Sequence, residues 1–138
     1  MTHIAFVCVQ NAGRSQIATA FAEREREKRG LEDITIHSGG TYPADTVHDI
    51  AIEIMDEEGI DLSENVPQEI TTEELKTCEY VATMGCSTLS LPSEVDVRDW
   101  DLDDPYGLNA AKARKIREKI KQRVADLFDE LETKTETC

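Results

Sequence analysis

Four short runs rich in β-branched and apolar residues, at 2–9, 34–38, 80–84 and 95–100, alternate with segments of helical periodicity. That alternation constrains the fold more than any other feature of the chain. A strand followed by a helical crossover returns to the same end of the sheet, so successive strands run parallel. The first run, THIAFVCV, is apolar on both faces, as a central strand covered on both sides requires. The expectation is an α/β three-layer sandwich, a four-stranded parallel sheet flanked by helices.

The helical segments follow from spacing. The first starts near Ser15, carries Ile17, Ala20, Phe21 and Arg24 at helical intervals, and closes at Gly30. A second is expected over about 47–58, with Val47, Ile50, Ala51, Ile54 and Met55 on one face and Gly59 past its end. Residues 60–72 read as loop around Pro67, followed by a short helix near Glu73 to Thr77. The last helix, about 109–132, has the clearest stripe: Ala113, Ile116, Ile120, Val124, Leu127, Phe128 and Leu131. With 138 residues and no linker or internal repeat, the chain reads as one domain over 1–138.

In such sheets ligands bind beyond the carboxyl ends of the strands. Three loops meet there: the turn after the first strand, the residues after Met84, and the loop after Trp100. The first reads CVQNAGRS, from Cys8 to Ser15. Backbone N–H groups of Gln10, Asn11, Ala12 and Gly13, feeding a helix N-terminus, form a concave anion site. Arg14 adds a planar fork that can grip two oxygens of one oxyanion. Cys8 sits at the bottom of this positive field, which favours thiolate over thiol. Ser15 can donate to the sulfur, and Asn11 can bridge backbone groups and stiffen the curl. A nucleophile and an oxyanion cradle thus fall within eight residues.

The segment VCVQNAGRSQIA resembles the signature loop of the low-molecular-weight tyrosine phosphatase superfamily, which includes the thiol-dependent arsenate reductases. The resemblance continues through GIDLSENVP (59–67), VATMGC (81–86) and DWDLDDPYG (99–107). It implies that Cys8 is the nucleophile, Arg14 the oxyanion clamp, Ser15 the thiolate stabiliser and Asp104, before Pro105, the general acid. Asp104 would protonate the departing oxygen.

Phosphate and arsenate are near-isosteric, so the cradle serves either. Release of product separates them: a phosphatase needs water, whereas a reductase needs a second thiol to attack Cys8. The resemblance favours the reductase, because phosphatases usually place a second cysteine where Gly13 stands. The shorter GGTYPADTVHD also lacks their inserted tryptophan, leaving Tyr42 as the aromatic of that segment. One departure bears on the resolving thiol. The best-known reductases carry two further cysteines about seven positions apart, the second followed by proline, whereas here Leu91 precedes Pro92. Cys78 precedes the third strand at the opposite edge, Cys86 follows it at the right edge, and Cys138 is terminal. Cys86 or a soluble thiol is therefore the expected resolving group, with a thioredoxin-like protein or a low-molecular-weight thiol as external reductant and no bound cofactor. The alternatives are a phosphate-monoester phosphatase using the same loop with Cys86 idle, and a silent oxyanion-binding module.

Composition bounds the partners. No CxxC pair occurs among Cys8, Cys78, Cys86 and Cys138, and His3, His37 and His48 are scattered, so no metal site is expected. No apolar run approaches the roughly 18 residues of a membrane span, and the N-terminus lacks secretory order, which together point to the cytoplasm. Asp and Glu number 29 against 15 Lys and Arg, a net charge of −14, which argues against nucleic acid. This acidity is either an ordinary solubilising surface or an adaptation to a salt-rich cytosol. Raising KCl from about 0.1 M to about 1 M shortens the screening length from about 10 Å to about 3 Å. Thermal melts across that range should show Tm rising if self-repulsion dominates; a flat or falling Tm would show that the carboxylates are compensated locally.

Overall fold

Residues Ile4 to Cys8 of the strand at Thr2–Cys8, β1, are all buried, and the sheet is built outward from it. The computed structural model describes residues 2–84 and 95–136. After β1 come α1 (Arg14–Arg29), β2 (Ile34–Gly40), α2 (Asp49–Asp56), α3 (Thr72–Leu75), β3 (Tyr80–Met84), β4 (Asp96–Asp99) and α4 (Ala110–Glu136). The sheet order is β2-β1-β3-β4 and every pairing is parallel. Cys8 pairs with Gly40 on one side and Met84 on the other, so three strands end level with Cys8.

Strand alternation splits the core in two. Ile4, Phe6 and Cys8 face a large cluster with Ile17 and Phe21 of α1, Ile54 and Met55 of α2, and the α4 stripe. Ala5 and Val7 face a smaller cluster with Ile70, Leu75, Cys78, Val81 and Val95. The expected α4 stripe is buried throughout, from Ala113 to Leu131. Phe6, Phe21 and Phe128 are among the largest fully buried side chains. Truncating one such ring costs about 3–5 kcal/mol through lost burial and the cavity left behind.

Helix ends explain where observation and expectation differ. Gly30 closes α1 at φ 68°, its N–H bonded to the Glu27 carbonyl at 3.2 Å, a left-handed conformation that glycine adopts without strain. α2 starts at Asp49 rather than 47, because His48 is extended and its N–H is drawn to the Ala12 carbonyl at 2.8 Å. α3 starts at Thr72, with the Thr71 hydroxyl accepting from Glu74 N–H at 3.1 Å. α4 continues to Glu136. The histidines are less scattered than the sequence suggests. Parallel pairing brings His3 Nδ1 within 2.9 Å of His37 Nε2, and His37 Nδ1 lies 2.8 Å from Glu74 Oε2.

Beyond α2, Glu57 accepts from Arg114 Nη2 at 2.8 Å and Arg117 Nη1 at 2.7 Å, tying this corner to α4. These bonds pull the Glu57 carboxyl from an ordinary 4.5 down to about 2. A folded-state value below the unfolded one gives stability that is present above 4.5 and lost as pH falls towards 2. Urea unfolding of wild type and Glu57→Gln should therefore differ most near neutrality and converge in acid. A difference that is independent of pH would show that the ion pairs do not act through this carboxylate.

Candidate active site

Cys8 ends β1 buried, and its sulfur is held from behind. Ser15 Oγ lies 2.8 Å from Cys8 Sγ, and the Asn11 backbone N–H donates to the same sulfur at 3.2 Å. Asn11 Nδ2 donates to Ser15 Oγ at 2.7 Å. Because Ser15 accepts that bond, its own hydrogen is free to point at the sulfur.

Asn11 organises the curl. It has φ 50°, a left-handed conformation that asparagine tolerates better than most residues. Its Nδ2 also donates to Ser38 Oγ at 3.0 Å, while its Oδ1 accepts from Gln16 Nε2 at 3.0 Å and Gln68 N–H at 3.0 Å. Gln16 Oε1 in turn accepts from Asn65 at 3.1 Å. The loop carbonyls are turned outward: those of Val9, Gln10 and Ala12 accept from Tyr42, Ala44 and His48 at 2.7, 3.0 and 2.8 Å. Gly40 permits this close approach, since a Cβ there would meet Val9 O at 2.5 Å and Asn11 N at 2.9 Å.

The N-terminus of α1 completes the cradle. Gly13 supplies no side-chain cap, and the first turn contains no acidic residue. Its leading N–H groups are thus left for an anion, which the helix dipole also favours. Arg14 is fixed by Nη1 donating to the Leu102 carbonyl at 2.8 Å, with Nη2 at 3.6 Å from Asp104 Oδ2. Asp104 Oδ1 accepts from Tyr106 N–H at 3.0 Å, so this residue also shapes its own turn.

Cys8, Gln10, Ala12, Gly13, Arg14 and Asp104 line one cleft of about 440 Å³, together with Ala44, His48 and Tyr106. Asn11 and Ser15 stand behind it, bonded to the sulfur and to each other. Cys86, Pro92 and Cys138 lie outside the described residues. The tyrosine lining the cleft is Tyr106 rather than Tyr42; both rings are exposed, and that of Tyr106 lies tilted by 37° against His48 with centroids 4.4 Å apart. Sequence reasoning missed His48 and Tyr106; the position of Tyr106 directly after Asp104-Pro105 was the available signal. Gln16, Ser38 and Asn65 gave none. A larger groove of about 700 Å³ beside Arg24, Arg26 and Gly59 is lined by no cysteine, serine or histidine. Among the described residues, no group of three His, Cys, Asp or Glu side chains is placed to hold a metal ion. Among the same residues, no helix is long and apolar enough to cross a membrane.

Such an arrangement can bind a tetrahedral anion against backbone donors and attack it with sulfur. Asn11→Ala would strand several buried partners and strain the backbone at once. Its expected cost is about 2–4 kcal/mol in urea unfolding, with loss of oxyanion binding. A variant of unchanged stability and affinity would show that the loop holds its shape without this side chain.

The model of the family described as low molecular weight phosphotyrosine protein phosphatase matches residues 3–137. A protein of Halobacterium salinarum, provisionally named an arsenate reductase, is 63% identical over 131 residues, 94% of this chain and 92% of its own. A glutaredoxin arsenate reductase of Synechocystis is 33% identical over 93% of this chain and 97% of its own. Among solved structures, a thioredoxin-dependent arsenate reductase of Corynebacterium glutamicum superposes with a TM-score of 0.81 at 30% identity. That match takes in 97% of this chain and 63% of the other, so this chain spans under two thirds of that protein. Fold, loop and matches agree, and the chain belongs to the low molecular weight phosphotyrosine protein phosphatase family.

Proposed function

We propose that this chain is a thiol-dependent arsenate reductase acting as a single cytoplasmic domain over 1–138. The observation that carries the chemistry is the Cys8 sulfur, bonded by Ser15 and the Asn11 N–H, in the cleft shared with Arg14 and Asp104. The 63% identical relative supports arsenate as the substrate. In the first step the Cys8 thiolate attacks arsenic(V), forming an S–As bond, while Asp104 protonates the departing oxygen as water. Arg14 and the amides of residues 10–15 hold the remaining oxygens. A second thiolate then attacks the Cys8 sulfur and the S–As bond breaks. Its electron pair stays on arsenic, so arsenic(III) leaves as arsenite and two thiols become one disulfide.

Cys86 is the proposed second thiol. Met84 is the register partner of Cys8, and Cys86 follows it by two residues. Neighbouring strands lie about 4.8 Å apart, and two residues add at most about 7 Å. An extended continuation would put the two Cα atoms up to about 8.5 Å apart, so a disulfide, which needs about 4.4–6.8 Å, requires a local shift. A thioredoxin- or glutaredoxin-type dithiol protein, or a small thiol, then restores the enzyme. The relatives named for those reductants support this assignment. A phosphatase reading has one observation in its favour: Tyr106 in the cleft offers an aromatic ester a stacking surface.

Assaying arsenite release beside aryl-phosphate hydrolysis, with varied thiols, decides between them. Cys8→Ser should abolish either activity while the protein stays folded, because a hydroxyl replaces neither the nucleophile nor the electron donor. Arg14→Lys keeps the charge but loses the fork, at an expected cost of about 2–4 kcal/mol in kcat/KM. A single turnover without added thiol should give arsenite and a Cys8–Cys86 disulfide, detected by non-reducing peptide mapping. Cys86→Ser should block that turnover and recover with excess small thiol. Unaltered arsenate reduction by Cys86→Ser in every thiol condition would assign resolution to an external thiol. Aryl-phosphate hydrolysis with no arsenite formed under any condition would establish the phosphatase instead.

A further inference from the structure

Two backbone groups fix the direction of the hydrogen bonds behind the Cys8 sulfur, because a backbone N–H can only donate and a backbone carbonyl can only accept. The Gln68 N–H donates to Asn11 Oδ1 at 3.0 Å. The other end of that amide is therefore Nδ2, which donates to Ser15 Oγ at 2.7 Å and to Ser38 Oγ at 3.0 Å. The Asn11 carbonyl accepts from Gln16 Nε2 at 3.0 Å, and the same nitrogen reaches Asn11 Oδ1 at 3.0 Å. Gln16 Oε1 then faces away and accepts, and Asn65 Nδ2 donates to it at 3.1 Å. From Asn65 through Gln16, Asn11 and Ser15, every donor is aimed towards the sulfur, which lies 2.8 Å beyond Ser15 Oγ.

We infer that Gln16 and Asn65 are positioning residues that hold this chain of bonds in one direction, so that Ser15 gives its hydrogen to the Cys8 sulfur. Gln16 acts twice. It holds the Asn11 amide, and it occupies the Asn11 carbonyl, which stands four residues before Ser15 and is the acceptor to which a serine in a helix otherwise turns. Asn11, Ser15 and Gln16 are all buried. In such surroundings aligned bonds strengthen one another, whereas a reversed member leaves two like ends facing each other. A thiolate accepts the Ser15 hydrogen in a charge-assisted bond. A thiol instead brings its own hydrogen to an oxygen already bonded by Asn11. The aligned chain therefore favours the attacking form of Cys8. Asn65 is exposed between α2 and α3, 49 residues from Gln16 along the chain, so a surface position reaches the sulfur. The inference rests on Cys8 as the nucleophile of the proposed function and applies to arsenate and phosphate ester alike.

The test reads the sulfur without turnover: the pH at which iodoacetamide alkylates Cys8 at half its maximal rate, followed by mass spectrometry of the Cys8 peptide. Arg14, His48, Asp104 and Tyr106 line the same cleft and are retained in every variant. Gln16→Met removes the donor without adding charge, and should raise that pH by about one unit, a tenfold slower alkylation in acid. Asn65→Asp keeps the shape, sits at the surface and turns a donor into an acceptor. It should raise the pH by about half a unit. The rise should persist in about 1 M KCl, where a screening length of about 3 Å removes a simple charge effect. Asn65→Ala, where water can donate instead, should shift it less. A wild-type profile in folded Gln16→Met or Asn65→Asp would overturn the inference. So would an Asn65→Asp shift that vanishes in salt, or an equal shift in Asn65→Ala. The expected shifts support it even if the wild type releases no arsenite, an outcome that would reject the reductase reading alone.

Discussion

The side chain of Asn11 is the contact on which the cleft depends. It joins the α1 start through Ser15 and Gln16, β2 through Ser38, and the strap beside β2 through Gln68. Each of these bonds is made by a buried or partly buried group, where an unmade bond is expensive and a made one is strengthened by the low dielectric. The left-handed backbone at Asn11 turns its own N–H onto the Cys8 sulfur. One residue therefore shapes the loop, orients the serine beside the thiol and supplies a donor to the Cys8 sulfur. Preorganisation of this kind means that the donors need not reorganise as charge develops on the substrate.

The site gathers hydrogen-bond donors in a protein that is strongly acidic overall, and local geometry reconciles the two. Several carboxylates elsewhere pair with arginines: Arg29 with Glu25 and Glu132, Arg98 with Glu130, and Glu57 with Arg114 and Arg117. At the cleft the balance reverses. The first turn of α1 contains no acid, the loop carbonyls are turned away, and Asp104 is the carboxylate beside Arg14. Fixed dipoles and one tethered guanidinium create a local field that distant, screened surface charges cannot cancel.

His48 shows how a helix start can serve a neighbouring loop. Its N–H leaves α2 to bond Ala12, which shortens the helix against its sequence signal. The same bond brings the imidazole to the cleft wall. The aromatic surface there comes from the Asp-Pro loop, so the segment between β2 and α2 and the chain after β4 both contribute to one wall around Cys8.

Sequence alone determined the parallel α/β order, since periodicity is set by which side chains must be buried along each segment. It also grouped Cys8, Arg14 and Ser15, because a strand, a short turn and a helix start leave little freedom for where those groups lie, whereas Asp104 was singled out only by the family resemblance. The α4 stripe was legible for the same reason: local spacing and burial are one fact. Only tertiary structure decided what depends on distant segments meeting. The Asn11 bonds to Ser38 and Gln68, the His3–His37 contact and the tether of Arg14 to the Leu102 carbonyl join residues far apart in the chain. Their residue types are ordinary, and only packing makes them partners. Hydrogen-bond geometry across loops is set by sheet register and helix docking, neither of which leaves a periodic trace in the sequence.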